Sequence, residues 1–358
     1  MLSKLIINFK RTLNYDFDAQ IPNNIDIYLK QVNLFSRFVK FLKRYLVFFF
    51  SNQVNHEITR ILPCHKSILW INLSAPSIGD SIMDLSSRIM LKDKLVDLFT
   101  SQKNAFLYFN DDYFENVFTD ILELKNKKYD LVIIDSYSSK SIFKKIKIGR
   151  KVNFVGMWGF YNGPEINRTL YSFHKMNHLL NSPYTNEYIL THARTILNVK
   201  TDDEFLKKEN LFSSYIVIAV GGEWSYRKYS HWREVIHGIF KINNDEKIIL
   251  VGSNNAISDG DELIEIFGRK IKSYINKLTF LQTSNIIKNS KLLICADGGL
   301  MHVGISLGIK TIPLFARFDS RMRLTGANDD YAICDERDVN LIPPESIIKK
   351  YLKVKSTF

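Results

Sequence analysis

Residues 291–315 read K-L-L-I-C-A-D-G-G-L-M-H-V-G-I-S-L-G-I-K-T-I-P-L-F, and the residue types are those of an anion site. The apolar run 292–296 predicts a buried strand that ends at Asp297. Gly298 and Gly299 then open a helix carrying His302, and a second apolar run, 311–315, follows at the distance of a βαβ crossover. Glycines at the mouth of a helix let a bulky anion approach the backbone. The first turn then offers it unpaired N–H groups and a partial positive charge. The chemistry is that of holding a phosphate or diphosphate on the N–H groups of Gly298, Gly299 and Leu300. Asp297 can accept from sugar hydroxyls, and His302 either supports the phosphate or only satisfies the turn. Many α/β proteins use such a turn for packing alone, so other segments must decide.

Three further segments end apolar runs with residues suited to chemistry. After 215–220 come Gly221, Gly222 and Glu223, then Arg227, Lys228, Ser230 and Trp232. Lys228 supplies a point charge for phosphate and Arg227 a fork. The other reading is a solvated basic loop capped by Ser230, with Trp232 in the core. After 248–251 come Gly252 and Ser253, then Asp259, Asp261 and Glu262 at the start of a helix. Acidic residues there complement the helix dipole, or one of them binds a ribose diol. After 67–73 the chain runs A-P-S-I-G-D-S. Asp80 then either caps the following helix or acts as general base on a hydroxyl.

The sequence D-G-G-L-M-H at 297–302 resembles the D-[S/T]-G-x-x-H segment of glycosyltransferase family 9, the lipopolysaccharide heptosyltransferases. S-I-G-D at 77–80 resembles the family's catalytic loop, and the 215–232 segment its strand, Gly turn, lysine and Trp-Pro pattern. The likeness spans most of residues 67–315, in the family's order. It implies that Asp80 is the base and that Lys228 contacts the donor phosphates. Gly79, Arg227, Gly221, Gly222, Asp297, Gly298, Gly299, Leu300 and His302 would join Lys228 around the donor. One acidic residue after the third turn would bind ribose. Three departures stand out: Asp84-Leu85-Ser86 where a proline is usual, Ser230 in place of proline, and Gly298 in place of Ser or Thr.

The elements that must position these residues follow from periodicity. Runs 67–73, 106–109, 131–136 and 152–156 predict parallel strands of a first block, and 215–220, 247–251, 292–296 and 311–315 those of a second. Two successive βα blocks predict an α/β protein of the GT-B type, with two doubly wound Rossmann-like domains facing an interdomain cleft. The expected division is a basic aromatic N-terminal extension (1–66), an acceptor-binding domain (67–205) and a nucleotide-sugar donor-binding domain (206–358) that ends in a helix from about residue 344. The charged stretch 200–210 reads as the linker.

A net charge of +12 asks for an anionic partner, and no nucleic-acid-binding pattern is present. The three dispersed cysteines form no metal or disulfide spacing and suit a reducing compartment. No leader peptide and no uncharged apolar run of roughly 20 residues is seen, so a cytoplasmic protein is expected. Within 35–50, Arg37, Lys40 and Arg44 share one helical side while Phe38, Phe41, Leu42 and Tyr45 line another. That helix either lies on an anionic inner-membrane surface, through residues 34–50, or packs on the first domain.

The resemblance and the residues together predict a bacterial, inverting, metal-independent glycosyltransferase of lipopolysaccharide biosynthesis. It would need no cofactor beyond its nucleotide-sugar donor, ADP-heptose, and would act on an anionic glycolipid or oligosaccharide acceptor. Two rivals share the donor site: a nucleotide-sugar epimerase, and a non-catalytic membrane-associated nucleotide-sugar-binding protein.

Overall fold

Strands β1 (Ser67–Asn72), β2 (Leu95–Thr100), β3 (Asn116–Phe118), β4 (Leu131–Ser136) and β5 (Phe154–Gly159) form one parallel sheet in the order β3-β2-β1-β4-β5. The structure is a computed structural model that describes residues 2–15, 17–211 and 214–357; Met1 and Phe358, the ends of the expected outer segments, lie outside them. Its central strands are apolar on both faces because helices cover both: residues 68–71 of β1 and 131–134 of β4 are fully buried. Those helices are α4 (Ile78–Asp84), α5 (Gln102–Ala105), α6 (Ser139–Gly149), α7 (Arg168–Leu180) and α8 (Asn186–His192).

The second sheet, also parallel, has the order β11-β10-β9-β6-β7-β8. Its strands are β6 (Ile216–Ala219), β7 (Ile248–Val251), β8 (Ile271–Ser273), β9 (Leu292–Ala296), β10 (Thr311–Ala316) and β11 (Ile333–Asp335). Around it lie α9 (Asp203–Lys208), α10 (Trp232–Ile242), α11 (Ile257–Phe267), α12 (Phe280–Lys288), α13 (Gly299–Ser306) and α14 (Pro344–Lys355).

The chain divides into two units, Met1–Arg194 and Thr195–Phe358. The charged stretch expected as a bare linker instead holds α9, which Asp202 caps through Phe205 N–H and which buries Phe205 and Leu206. Residues 106–109 are not a strand. Leu107 and Tyr108 are buried in a turn, with Tyr108 Oη 2.9 Å from Ser81 Oγ beneath α4, so their burial comes from helix packing. The strand is β2, where Asp97 interrupts the apolar run. That carboxylate accepts from Asn116 Nδ2 and Tyr129 Oη at 2.8 Å each.

The N-terminal segment folds as α1 (Leu2–Arg11), α2 (Ile25–Gln31) and α3 (Leu34–Phe50), packed on the first unit. The basic side of α3 is split: Lys40 is exposed as the helical pattern suggested, whereas Arg44 and Arg37 are drawn into contacts with the rest of the first unit. Arg44 is buried and donates to the carbonyl of Tyr137 and to Ser136 Oγ, while Arg37 donates to Asn162. Phe41 and Phe48 fill the core beside them. Outward-facing are Phe35, Leu46, Phe49 and Phe50, with Phe35 76% and Phe50 77% exposed, together with Lys40 and Lys43. No helix among the described residues is long and apolar enough to cross a membrane.

Candidate active site

In each sheet the first strand lies between a strand reached in one direction and a strand reached in the other. Loops leaving the carboxyl ends of such neighbours open a crevice at the sheet's switch point. In the second unit those neighbours are β6 and β9, and the loops that follow them carry the two glycine pairs. Gly221 has φ +98°, and a Cβ there would lie 2.8 Å from Asn255 Oδ1. At Gly222 a Cβ would meet the Arg227 carbonyl at 2.6 Å. These two glycines let the loop fold back on itself and set Arg227 and Lys228 over the strand ends.

The glycines after β9 have a different reason. Gly298 is in extended backbone (φ 174°), a Cβ at Gly299 would touch nothing within 4 Å, and Gly298 would meet only the Ala296 carbonyl at 4.0 Å. The fold therefore leaves open space beside both. Gly298 occupies the N-cap of α13 with no side chain to accept from the first turn, so the amides of Gly299 and Leu300 lack an intrahelical partner. His302 is buried on the same helix, and its own N–H reaches the Gly298 carbonyl at 3.4 Å.

Charges converge on this mouth. Arg227 Nη1 lies 2.9 Å from Asp297 Oδ2, and Lys228 Nζ lies 3.1 Å from Asp259 Oδ1. Of the three acidic residues at the start of α11, Asp259 is thus the one brought to the basic loop. The turn is pinned from outside: Ser230 N–H and Oγ both donate to Asn340 Oδ1 at 2.8 Å, and Asn340 Nδ2 donates to the Lys228 carbonyl. Proline at 230 has no N–H to give, so serine here gains a tether. Ser230 does not cap α10, whose N-cap is His231, but Trp232 is buried in the core as the packing reading required.

Arg317, Tyr226, Arg227, Phe318 and Arg323 form an alternating stack of guanidinium groups and rings. Arg317 Cζ sits 3.8 Å from the Tyr226 centroid and Arg227 5.3 Å; Arg227 and Arg323 lie 5.4 and 4.8 Å from that of Phe318. Arg317 is held in the left-handed region (φ 71°) just past β10. Of these, sequence reasoning singled out Arg227 alone and passed over Arg317, Tyr226, Phe318 and Arg323, although three arginines within 317–323 directly after a strand were a visible signal.

In the first unit the switch point lies between β1 and β4, and the 73–80 loop leaves β1 there. Two of its amides, Leu73 and Ser74 N–H, donate to buried Asp135 at the end of β4. The N-cap of α4 is Ser77, not Asp80: Ser77 Oγ accepts from Asp80 N–H and donates to Asp80 Oδ2 at 2.6 Å. Gly79 is buried in the first turn. Asp80 keeps a carboxylate oxygen toward Arg168, 3.5 Å away. Arg168 is claimed more tightly by Asp84, with Nε and Nη2 donating at 2.8 and 2.6 Å. Burial raises the Asp84 carboxyl to about 6 despite Arg168 beside it, and the Asp80 charge adds to the rise. The Asp84–Arg168 pair stands where the family pattern has its proline, and no spacing rule pointed to it. Among the described residues no group of His, Cys, Asp or Glu converges to hold a metal ion.

The model of glycosyltransferase family 9 (heptosyltransferase) matches residues 121–340, more than half of the chain. The chain belongs to glycosyltransferase family 9. The match contains every residue from Gly221 to His302 that was expected on the donor side, and it begins after the Asp80 loop. No curated protein matches by sequence. Among solved structures, the family 9 glycosyl transferase from Veillonella parvula is 13% identical, with a TM-score of 0.66 over 83% of this chain and 99% of that one. The E. coli ADP-heptose lps heptosyltransferase II is 17% identical, with a TM-score of 0.58 over 81% and 99%. An E. coli heptosyltransferase with ADP is 15% identical, with a TM-score of 0.59 over 80% and 99%. These neighbours establish the GT-B fold, and family 9 membership makes the chain a glycosyltransferase.

Proposed function

We propose that this family 9 transferase moves heptose from ADP-heptose to a phosphorylated lipopolysaccharide-core or related acceptor, with inversion and without a metal. The observation that carries it is the basic loop of the second unit, in which Lys228 follows Arg227 and Arg227 pairs with Asp297, directly before the uncapped amides and open space at Gly298 and Gly299. Such a mouth suits a nucleoside diphosphate, and E. coli relatives of the same fold hold ADP and ADP-2-deoxy-2-fluoro heptose. In this reading Asp259, which contacts Lys228, accepts from the ribose diol. In the reaction an acceptor hydroxyl oxygen attacks the anomeric carbon as the bond to the diphosphate breaks. Asp80 takes the hydroxyl proton. Arg227, Lys228 and the amides of Gly299 and Leu300 hold the charge that develops on the diphosphate, the task a metal ion performs in other transferases. Attack opposite the leaving group inverts the centre.

Calorimetry with ADP, UDP and GDP in chelator, then ADP-heptose turnover with a deacylated core acceptor, tests this. Selective ADP binding and transfer are expected. Preference for UDP or GDP would replace the donor, and release of free sugar or an epimer without acceptor would overturn the transferase reading.

In the same reading, the protein works at the cytoplasmic face of the inner membrane. Phe35, Leu46, Phe49 and Phe50 on α3 lie exposed beside Lys40 and Lys43, and Ile6 and Ile7 on α1 lie exposed beside Lys10 and Arg11. Apolar groups flanked by lysines match an anionic bilayer surface. Flotation with anionic vesicles, abolished by Phe49→Ser with Phe50→Ser, is the expected result. Equal flotation with neutral vesicles would refute the charge argument.

A further inference from the structure

On the first unit, away from the Asp80 loop, two hollows meet. One, of about 580 Å³, is rimmed by Lys66, Lys92, Lys94 and Arg194 over a floor that includes Ile89 and Phe173. The other, of about 320 Å³, is polar, and among its lining residues are Arg60, His174, Asn177, His178 and Asn181. They share Ser182 and Tyr184 and so form one groove. Lys66 and Lys94 directly precede β1 and β2, which places the groove at the amino edge of a sheet whose carboxyl edge carries Asp80.

Its two halves differ chemically. In the first, four cationic side chains face one carboxylate, Asp93, and no ion pair engages Lys66, Lys92 or Arg194 among the described residues. In the second, His174, Asn177, His178 and Asn181 recur at i, i+3, i+4 and i+7, the spacing of one helical face, running from α7 into its left-handed C-cap. His174 is 3% exposed, and its Nε2, like Asn177 Oδ1, is buried without a hydrogen-bond partner. Buried imidazole and amide atoms without partners are costly in a folded protein and invite a ligand that supplies both donors and acceptors. Vicinal hydroxyls do so. Tyr184, Tyr188 and His192 stack in a ladder, with centroids 4.5 and 3.9 Å apart, that stiffens the wall where the halves join.

We propose that this groove binds a phosphorylated oligosaccharide, with its phosphate among the lysines and Arg194 and its sugar hydroxyls on the α7 face. Resting on the transferase reading, the groove holds a part of the acceptor remote from the reacting hydroxyl. The connection is α7 itself. Arg168, which reaches Asp80, begins the helix, and the polar face lies roughly 9–20 Å further along at 1.5 Å per residue.

The test is equilibrium binding of mannopentaose phosphate to the full chain without donor, beside its dephosphorylated form, inorganic phosphate and a short oligonucleotide. The expected result is binding that falls at least tenfold on dephosphorylation, and equally in Lys92→Ala with Arg194→Ala. Asn177→Ala should weaken the phosphorylated and neutral sugars by the same factor, and Asp80→Asn should change neither. Inorganic phosphate or the oligonucleotide binding as tightly as the sugar phosphate would overturn the proposal, as would groove variants that bind like wild type. ADP titrated into the same samples separates the two readings. Lost sugar binding with ADP retained sinks the groove alone, whereas absent ADP binding sinks the transferase reading and leaves the groove to its own result.

Discussion

Arg227 and Asp297 meet at the mouth of the second sheet, Nη1 2.9 Å from Oδ2, one residue from each loop that flanks the switch point. The Asp297 side chain is 3% exposed, and that guanidinium is the cation paired with it. Tyr226 and Phe318 hold the guanidinium from either side. The pair thus fixes where Arg227, the second cation of the proposed anion site, stands, next in sequence to Lys228.

Removing Arg227 alone strands a buried carboxylate, which costs about 3–5 kcal/mol. Arg227→Ala is therefore expected to lower both thermal stability and ADP affinity, the latter at least tenfold. Adding Asp297→Asn removes the stranded charge, so the double variant should regain most of the stability but none of the affinity. Scanning calorimetry and titration with ADP read the two separately. If affinity returned with stability, Arg227 would serve packing only.

Lys228 is shared between two tasks. Its 3.1 Å contact with Asp259 must loosen or reorient when a phosphate arrives. Lys228→Ala should weaken ADP and inorganic pyrophosphate alike. Asp259→Asn should instead tighten pyrophosphate several-fold, because the lysine is released, while weakening ADP, whose ribose loses an acceptor. The opposite signs for two ligands are what titration must find. Weakening of both would remove Asp259 from the ribose role.

The parallel sheets and the order of the glycine turns were legible because buried strands write themselves as apolar runs and the turns punctuate them. Where the reading failed, burial had another source. Leu107 and Tyr108 are apolar because they lie under α4, and β2 was hidden by Asp97, a carboxylate with two side-chain partners distant in sequence. Arg44 misled for the same reason: its helical spacing with Arg37 and Lys40 suggested a solvated stripe, yet it ends on the carbonyls of Tyr137 and Gly159. The residues of the proposed anion site stood out as residue types, but their pairing did not. Nothing in the spacing says that Arg227 goes to Asp297 and Lys228 to Asp259, since that follows from strand order.

Asp80 is held by Ser77 Oγ at 2.6 Å and faces Arg168 at 3.5 Å, contacts that keep a carboxylate oriented. Asp80→Asn preserves the shape and removes the proposed base. Transfer is expected to fall by about 10²–10⁴-fold, the usual weight of a general base, with ADP affinity within twofold of wild type. Transfer retained at a tenth or more of the wild-type rate would assign the proton to another group.

Gly298 and Gly222 should answer substitution in opposite ways. At Gly298 the backbone is extended and the space open, so Gly298→Ser fits, caps α13 and adds a donor near the diphosphate. A rise of a few tenths of a kcal/mol in stability and two- to fivefold tighter ADP, worth about 0.5–1 kcal/mol, are expected. Gly222→Ala puts a methyl 2.6 Å from the Arg227 carbonyl and must push the basic loop away. Its ADP affinity should fall well below that of wild type. A loss of ADP binding in Gly298→Ser would mean that the open space is needed for the ligand itself.

Two buried groups pull stability in opposite directions as pH changes. Burial raises Asp84 from 3.8 to about 6, so between those values the native state keeps a proton the unfolded chain has released, and stability falls as pH rises. Burial lowers His174 from 6.5 to about 4, so in that window the unfolded chain binds a proton the native state refuses, and stability falls as pH drops. Each swing amounts to about 3 kcal/mol at 1.36 kcal/mol per unit, and in wild type they largely offset between pH 4 and 6. His174→Gln removes one of them. Urea unfolding from pH 7 to 4 should show the variant gaining about 3 kcal/mol on wild type as pH falls, with the gain beginning near pH 6.5. Asp84→Asn should show the reverse, gaining on wild type as pH rises from 4 to 6. A flat difference curve for His174→Gln would mean that the imidazole protonates freely in the folded protein, and that its wall of the groove is open to water.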